Sequence, residues 1–240
     1  MLLLLYFYRG IGGFMSKLIL YHGSPSILKQ PIYEYGKTYN DYGQGFYCTQ
    51  HLELAKEWAC SEGLDGFANK YEIETDNLNI LNLSSDKYNI LNWLAILLEN
   101  RQLRLSSPIE KRSRDYLLKN FLIEYKQYDC IIGYRADDSY FSFARSFISN
   151  TISLKQLSYA MKLGELGEQF VLKSEKVFKN LNFIDYTIAD NSIYYNKRKL
   201  RDTQARQAFF KQLEEDDENG IYIRDIINQE VNNSPLSLTV

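Results

Sequence analysis

The order of short apolar runs constrains this chain more than any other feature of its 240 residues. Lys17 to Tyr21, Gly45 to Thr49, Asn69 to Glu74, Leu78 to Leu83, Asp129 to Gly133 and Gln169 to Lys173 have strand length and turn residues near their ends. Residues 33–45 are polar, tyrosine-rich and glycine-punctuated, a loop rather than a strand. Thr49 is placed to cap a helix reaching about Cys60, with Leu52, Ala55, Trp58 and Ala59 on one face. Further helices are predicted over 87–104, 109–126, 140–148, 153–162, 195–217 and 222–228. Strands and helices mix without regular alternation, so the expected class is α+β rather than a doubly wound sheet.

Composition narrows the chemistry. A hydrophobic share of 45% is enough for a core. Most of the 20 tyrosines and 13 phenylalanines are packing material, which leaves one or two for a ligand. A formal net charge of -2 excludes a global basic field that would capture nucleic acid. Two histidines and three cysteines at no metal-ligand spacing give no material for a zinc site, so no metal is expected. Cys48 follows a tyrosine of interest, yet no histidine stands at a catalytic-cysteine spacing from it. Free thiols fit a reducing cytoplasm. Met1 to Tyr8 is apolar but far short of a membrane span, and Arg9 follows it, whereas a signal peptide carries its charge first. Residues 1–14 are expected to be an upstream extension or a disordered segment, with Met15 the natural start. A domain over 15–185 and a helical extension over 186–240 packed on it complete the expected organisation.

Three stretches carry the functional signal. They are Tyr21-His22-Gly23-Ser24, then Asp41-Tyr42-Gly43-Gln44-Gly45-Phe46-Tyr47-Cys48-Thr49 with its trailing Ala55 to Ala59, and Leu166-Gly167-Glu168-Gln169-Phe170-Val171-Leu172-Lys173-Ser174-Glu175-Lys176. A histidine after an apolar strand, a tyrosine after a glycine turn and an aromatic one helix away build a slot for a flat ring and a sugar. In this order the stretches resemble the His-Tyr-Glu class of ADP-ribosyltransferases. More closely, they are similar to a bacterial family of unknown function assigned to that superfamily; Tyr128 to Asp138 adds to this likeness, which spans about 17–185.

The resemblance implies a split β-sheet core with inserted and C-terminal helices, NAD as substrate, and cleavage of the nicotinamide–ribose bond through an oxocarbenium-like transition state. It implies catalytic roles for His22, Tyr47 and Gln169, and an NAD-binding set of His22, Gly23, Ser24, Gly45, Tyr47 and Trp58. His22 would hold a ribose hydroxyl, Gly23 would meet the carboxamide through its backbone, and Tyr47 and Trp58 would sandwich the nicotinamide. A serine that binds the carboxamide in poly(ADP-ribose) polymerases is Ala55 here. The family glutamate falls on Glu168 or Gln169; neighbours on a strand face opposite ways, and the following Phe170-Val171-Leu172 favours Gln169. A neutral amide points to single transfer rather than chain elongation. Implied partners are NAD, a protein or nucleic-acid acceptor and a cognate inhibitor protein, as for a bacterial toxin or effector. An NAD glycohydrolase and an inactive NAD- or ADP-ribose-binding module are the alternatives. Arg135, Asp137, Asp138, Phe143 and Arg145 would rim the pocket or form a salt-bridged loop. Lys197 to Arg201 and Arg206 would meet an acidic partner or RNA, or form a solvated helix face.

Overall fold

A computed structural model describes residues 17–135, 138–163, 167–214 and 217–232 of the chain. The expected extension over 1–14, the last residues of the tail and Asp137 lie outside the described residues. The class is α+β, with two sheets. The first sheet joins β1 (Lys17–Ser24), β3 (Gly66–Glu74) and β7 (Leu181–Ala189), all antiparallel. The second runs β2 (Phe46–Cys48), β6 (Glu168–Leu172), β5 (Cys130–Tyr134) and β4 (Ile80–Asn82), with only β4 and β5 parallel. A single bridge between Tyr21 and Thr49 connects the sheets.

The helices fall where apolar spacing and caps direct them. They are α1 (Leu52–Ala59), α2 (Ile90–Asn100), α3 (Pro108–Phe121), α4 (Asp138–Ile148), α5 (Leu154–Ala160), α6 (Glu175–Lys179), α7 (Asn191–Leu213) and α8 (Ile223–Asn228). Asn89 with Asn92, Ser107 with Glu110 and Ser153 with Gln156 form reciprocal capping boxes at the starts of α2, α3 and α5. The first helix begins later than expected: Thr49 is held in the bridge to Tyr21, and His51 takes the cap position.

Apolar periodicity places the core. Leu91, Trp93, Leu94, Leu97 and Leu98 of α2 are buried in one cluster with Val171, Ile131 and apolar residues of α3, α4 and α8. A smaller cluster of Leu20, Cys48, Ile73, Cys130, Phe170 and Leu172 fills the space between the two sheets. β7 is absent from the sequence expectation although Ile184-Asp185-Tyr186-Thr187-Ile188 alternates apolar and polar; the three apolar side chains are exposed, so the alternation marks no buried face. It also carries the sheet past the boundary expected at 185.

Candidate functional site

The two sheets share one pair of residues and then part. Tyr21 and Thr49 exchange backbone hydrogen bonds of 2.7 and 2.9 Å. Alternate residues of an antiparallel strand turn their N–H and C=O the same way. Gly23, two residues beyond Tyr21, therefore aims both groups at the open edge of β1, away from β3. Tyr47, two residues before Thr49, aims its carbonyl back at that edge. Continued pairing would set Gly23 against Tyr47. Instead, the Tyr47 carbonyl accepts a 2.7 Å hydrogen bond from His22 Nδ1. The side chain of His22 thus takes a place in the ladder and leaves a gap flanked by a strand edge that makes no backbone hydrogen bond at Gly23 among the described residues.

That bond also decides the state of His22. A carbonyl only accepts, so Nδ1 carries the proton and Nε2 keeps its lone pair. The ring stacks on Phe46 with centroids 4.2 Å apart. Burial lowers the imidazole pKa, partly opposed by the bond to Tyr47. A neutral ring offering Nε2 as acceptor suits a sugar hydroxyl.

Gly23 is required on its other side. An added Cβ would lie 2.1 Å from the Ala55 carbonyl oxygen and 3.0 Å from Trp58 Cβ, so only glycine lets α1 pack this closely. The same contact brings Trp58 beside the open edge. The Arg135 guanidinium, following β5, lies 3.9 Å from the centroid of the Trp58 ring. The indole face is thus already in contact with a planar cation.

Gln169 and Glu168 divide as strand alternation requires. Tyr47 is registered with Val171, which puts Gln169 on the face of β6 that carries the Tyr47 ring. The Gln169 side chain is buried, and Nε2 donates to Asp41 Oδ2 and to the Tyr134 carbonyl, both at 3.1 Å. That carbonyl also accepts from the Tyr42 hydroxyl at 2.7 Å and from Trp93 Nε1 at 3.2 Å. The Tyr47 hydroxyl donates to the Gly43 carbonyl at 2.6 Å and accepts from the Tyr42 amide at 3.1 Å. Burial raises the Tyr42 and Tyr47 phenol pKa values, so both stay protonated at neutral pH. His22, Tyr47 and Gln169 are therefore tied into one network, with His22 on the opposite side of the strand plane from the other two.

Several expected residues have other duties. The Ser24 hydroxyl donates to the Ser26 carbonyl and accepts from Asn69 Nδ2 at 3.2 Å, which makes it an anchor for the following loop. A Cβ at Gly45 would meet Val171 Cγ1 at 2.7 Å, so this glycine serves the approach of β2 to β6. Phe143 stacks in the core against Phe209 at 3.9 Å rather than rimming the pocket. Arg145 pairs with Glu110 at 3.3 Å; only the backbone of Asp138 is described. In the basic run Lys197 and Lys199 are exposed, as a solvated helix face requires, with Lys197 reaching exposed Glu53 at 3.4 Å, while Arg201 clasps buried Glu57 at 2.8 and 3.0 Å. Cys48 is buried and its thiol pKa is pushed far up, which ends its candidacy as a nucleophile. Among the described residues no group of three or more His, Cys, Asp or Glu is arranged for a metal, and no helix is long and apolar enough to cross a membrane.

Sequence reasoning passed over Asp41 and Arg101. Asp41 is a buried carboxylate, paired with Arg101 through 2.7 and 2.8 Å contacts and bonded to Gln169. Its place in the Asp41-Tyr42-Gly43 motif was the signal, but nothing local ties it to residues sixty and more positions away. A hollow of about 530 Å³ that includes Arg101, Glu99, Lys111 and Arg114 opens nearby, but neither Tyr47 nor Trp58 lines it.

No curated protein matches this chain, and no solved structure does. A family model described as protein of unknown function (DUF3990) matches residues 18–183, the stretch that holds both sheets almost whole and every residue of the split, and the chain belongs to that family.

Proposed function

We propose that this chain is an NAD-dependent ADP-ribosyltransferase that breaks the nicotinamide–ribose bond and passes ADP-ribose to a macromolecular acceptor. One observation carries the reading: the open edge at Gly23, where one donor and one acceptor sit side by side. A primary carboxamide presents the complementary pair. Next to this edge lie two aromatic surfaces, Tyr47 and Trp58, and the latter already holds a planar cation. A nicotinamide ring is a planar cation that bears a carboxamide.

In this reading the chain's own groups divide the work. The backbone of Gly23 orients the leaving group. Tyr47 and Trp58 hold its ring while the bond to the sugar lengthens. Neutral His22 accepts a hydrogen bond at Nε2 from a ribose hydroxyl. Gln169 Oε1, whose partner amide nitrogen is already held, accepts from a hydroxyl of the nicotinamide ribose and turns a dipole toward the developing positive charge. That charge is met by a dipole and not by a carboxylate, which suits one transfer rather than a growing chain. The acceptor is a protein side chain or a nucleic-acid base.

Incubation with NAD labelled in its adenylate tests this. Label on protein or RNA with release of nicotinamide is the expected result. Label only in free ADP-ribose would assign a glycohydrolase, and no nicotinamide release would leave a binding module. Tyr47→Ala is expected to lower turnover at least tenfold, and a variant as active as the parent overturns the stacking role.

A further inference from the structure

We infer that Asp41 is the positioning residue that selects glutamine over glutamate at position 169 and fixes which end of the amide faces the gap. Its catalytic consequence rests on the ADP-ribosyl transfer reading; the selection itself does not.

The two hydrogens of Gln169 Nε2 go to two groups that only accept, the Asp41 carboxylate and the Tyr134 carbonyl. Rotating the amide by half a turn would press Oε1 against both, so the orientation is set. Asp41 is in turn oriented from behind. Arg101 Nε and Nη2 both bond Oδ1, and Oδ2 accepts from Gln169. The Tyr134 carbonyl is locked by Tyr42 and Trp93. Among the described residues no donor is bonded to Oε1, the atom left to receive a ligand hydroxyl.

A glutamate at 169 meets the opposite situation. Its carboxylate would sit about where the amide nitrogen does, near 3.1 Å from Asp41 Oδ2, at a residue only 3% exposed. Two carboxylates that close cannot both stay ionised cheaply, and Arg101 balances only one. The variant must hold a proton that the unfolded chain releases. Its stability is therefore intact below the ordinary glutamate range and is lost as pH rises above it. The departure from the glutamate of the His-Tyr-Glu class is then a matched pair, Asp41 with Gln169, rather than a decayed site.

Other charged or titratable groups on the elements around the amide are Arg101 after α2, Arg135 next to Tyr134, the phenols of Tyr42 and Tyr47, the neighbouring Glu168, and His51, whose ring lies where a Cβ on Gly167 would meet it. Each is present in every variant below, so the comparison isolates the exchanged pair.

The experiment is a charge-swap cycle in the full chain: Gln169→Glu, Asp41→Asn, and the two together, with thermal midpoints measured from pH 5 to 8. Gln169→Glu is expected to fall progressively below the parent as pH rises. The double variant restores one carboxylate and one amide and is expected to recover at least half of that deficit at pH 8. A Gln169→Glu protein whose gap to the parent does not change with pH overturns the inference. So does a double variant no better than the single one, including the case in which both fail to fold. Nicotinamide release, measured alongside, is expected to drop at least tenfold in Asp41→Asn through kcat, with KM for NAD little changed. A parent that releases no nicotinamide overturns the transferase reading, while the midpoints still decide the Asp41–Gln169 coupling.

Discussion

A single imidazole ends strand pairing at the site. Had Gly23 paired with Tyr47, β1 and β2 would belong to one continuous sheet, and no carboxamide-sized edge would exist. His22 takes the Tyr47 carbonyl instead, at 2.7 Å. The cost of breaking the ladder is reduced because one buried acceptor keeps a donor. Arg135 matters at the same scale. Its guanidinium lies on the Trp58 face that a nicotinamide ring would need, 3.9 Å from the ring centroid. A stacked cation of this kind is worth about 0.5–2 kcal/mol, so Arg135→Ala is expected to tighten nicotinamide binding about 2- to 30-fold. Quenching of tryptophan fluorescence by added nicotinamide measures it, and unchanged or weaker binding would show that the two do not compete. His22 and Tyr47 stood out in the sequence by their motifs, and the structure joins the two by a hydrogen bond. The guanidinium on Trp58 was not, because stacking across seventy-seven positions leaves no local pattern.

Among the elements, α3 shows how one cap reads as a pH effect. Glu110 is buried, with Oε2 accepting from the Ser106 and Ser107 amides at 2.7 and 2.9 Å and from the Ser106 hydroxyl at 3.0 Å. These bonds, with the Arg145 contact, hold its carboxyl at about 2. A depressed carboxyl stabilises the fold above its unfolded pKa, and that contribution drains away as pH falls through the folded value. Glu110→Ala is expected to cost about 2 kcal/mol at pH 7 in urea unfolding. Its gap to the parent should shrink between the ordinary glutamate pKa and pH 2. A gap of constant size across that window would mean the loss is packing rather than charge. The Ser107-Pro108-Ile109-Glu110 pattern of a capped helix is plain in the sequence. What it does not reveal is Arg145 joining from α4.

For the whole molecule, the C-terminal helices are structural partners of the site. Arg201 on α7 makes two hydrogen bonds, 2.8 and 3.0 Å, to Glu57 on α1, a carboxylate only 2% exposed. α1 is the helix that packs on Gly23 and carries Trp58. Removing one partner of a buried ion pair costs about 3–5 kcal/mol, because the other charge is stranded. Arg201→Met is therefore expected to lower the thermal midpoint strongly and to weaken NAD binding, although Arg201 is not among the proposed NAD-binding residues. Adding Glu57→Leu should recover most of the stability. If the double variant stays as unstable as Arg201→Met, the link between α7 and α1 is not electrostatic.

What the sequence determined by itself was local: the α+β class, most of the strands and helices, the helix caps, and the strand-end His22-Gly23 and turn-then-strand Tyr47 motifs. Apolar periodicity, turn residues and side-chain caps act over a few positions and leave their mark there. Tertiary structure alone decided the rest. It placed the gap where two sheets share a single bridge. It brought Asp41, Arg101 and Gln169 together, and it set Arg201 of α7 on Glu57. Strand β7 differs: its Ile184-Asp185-Tyr186-Thr187-Ile188 alternation is local, but its place beside β3 is set by pairing between distant residues, while most of its side chains stay in water. Contacts between distant residues are set by which surfaces pack, and no stretch of neighbouring residues encodes them.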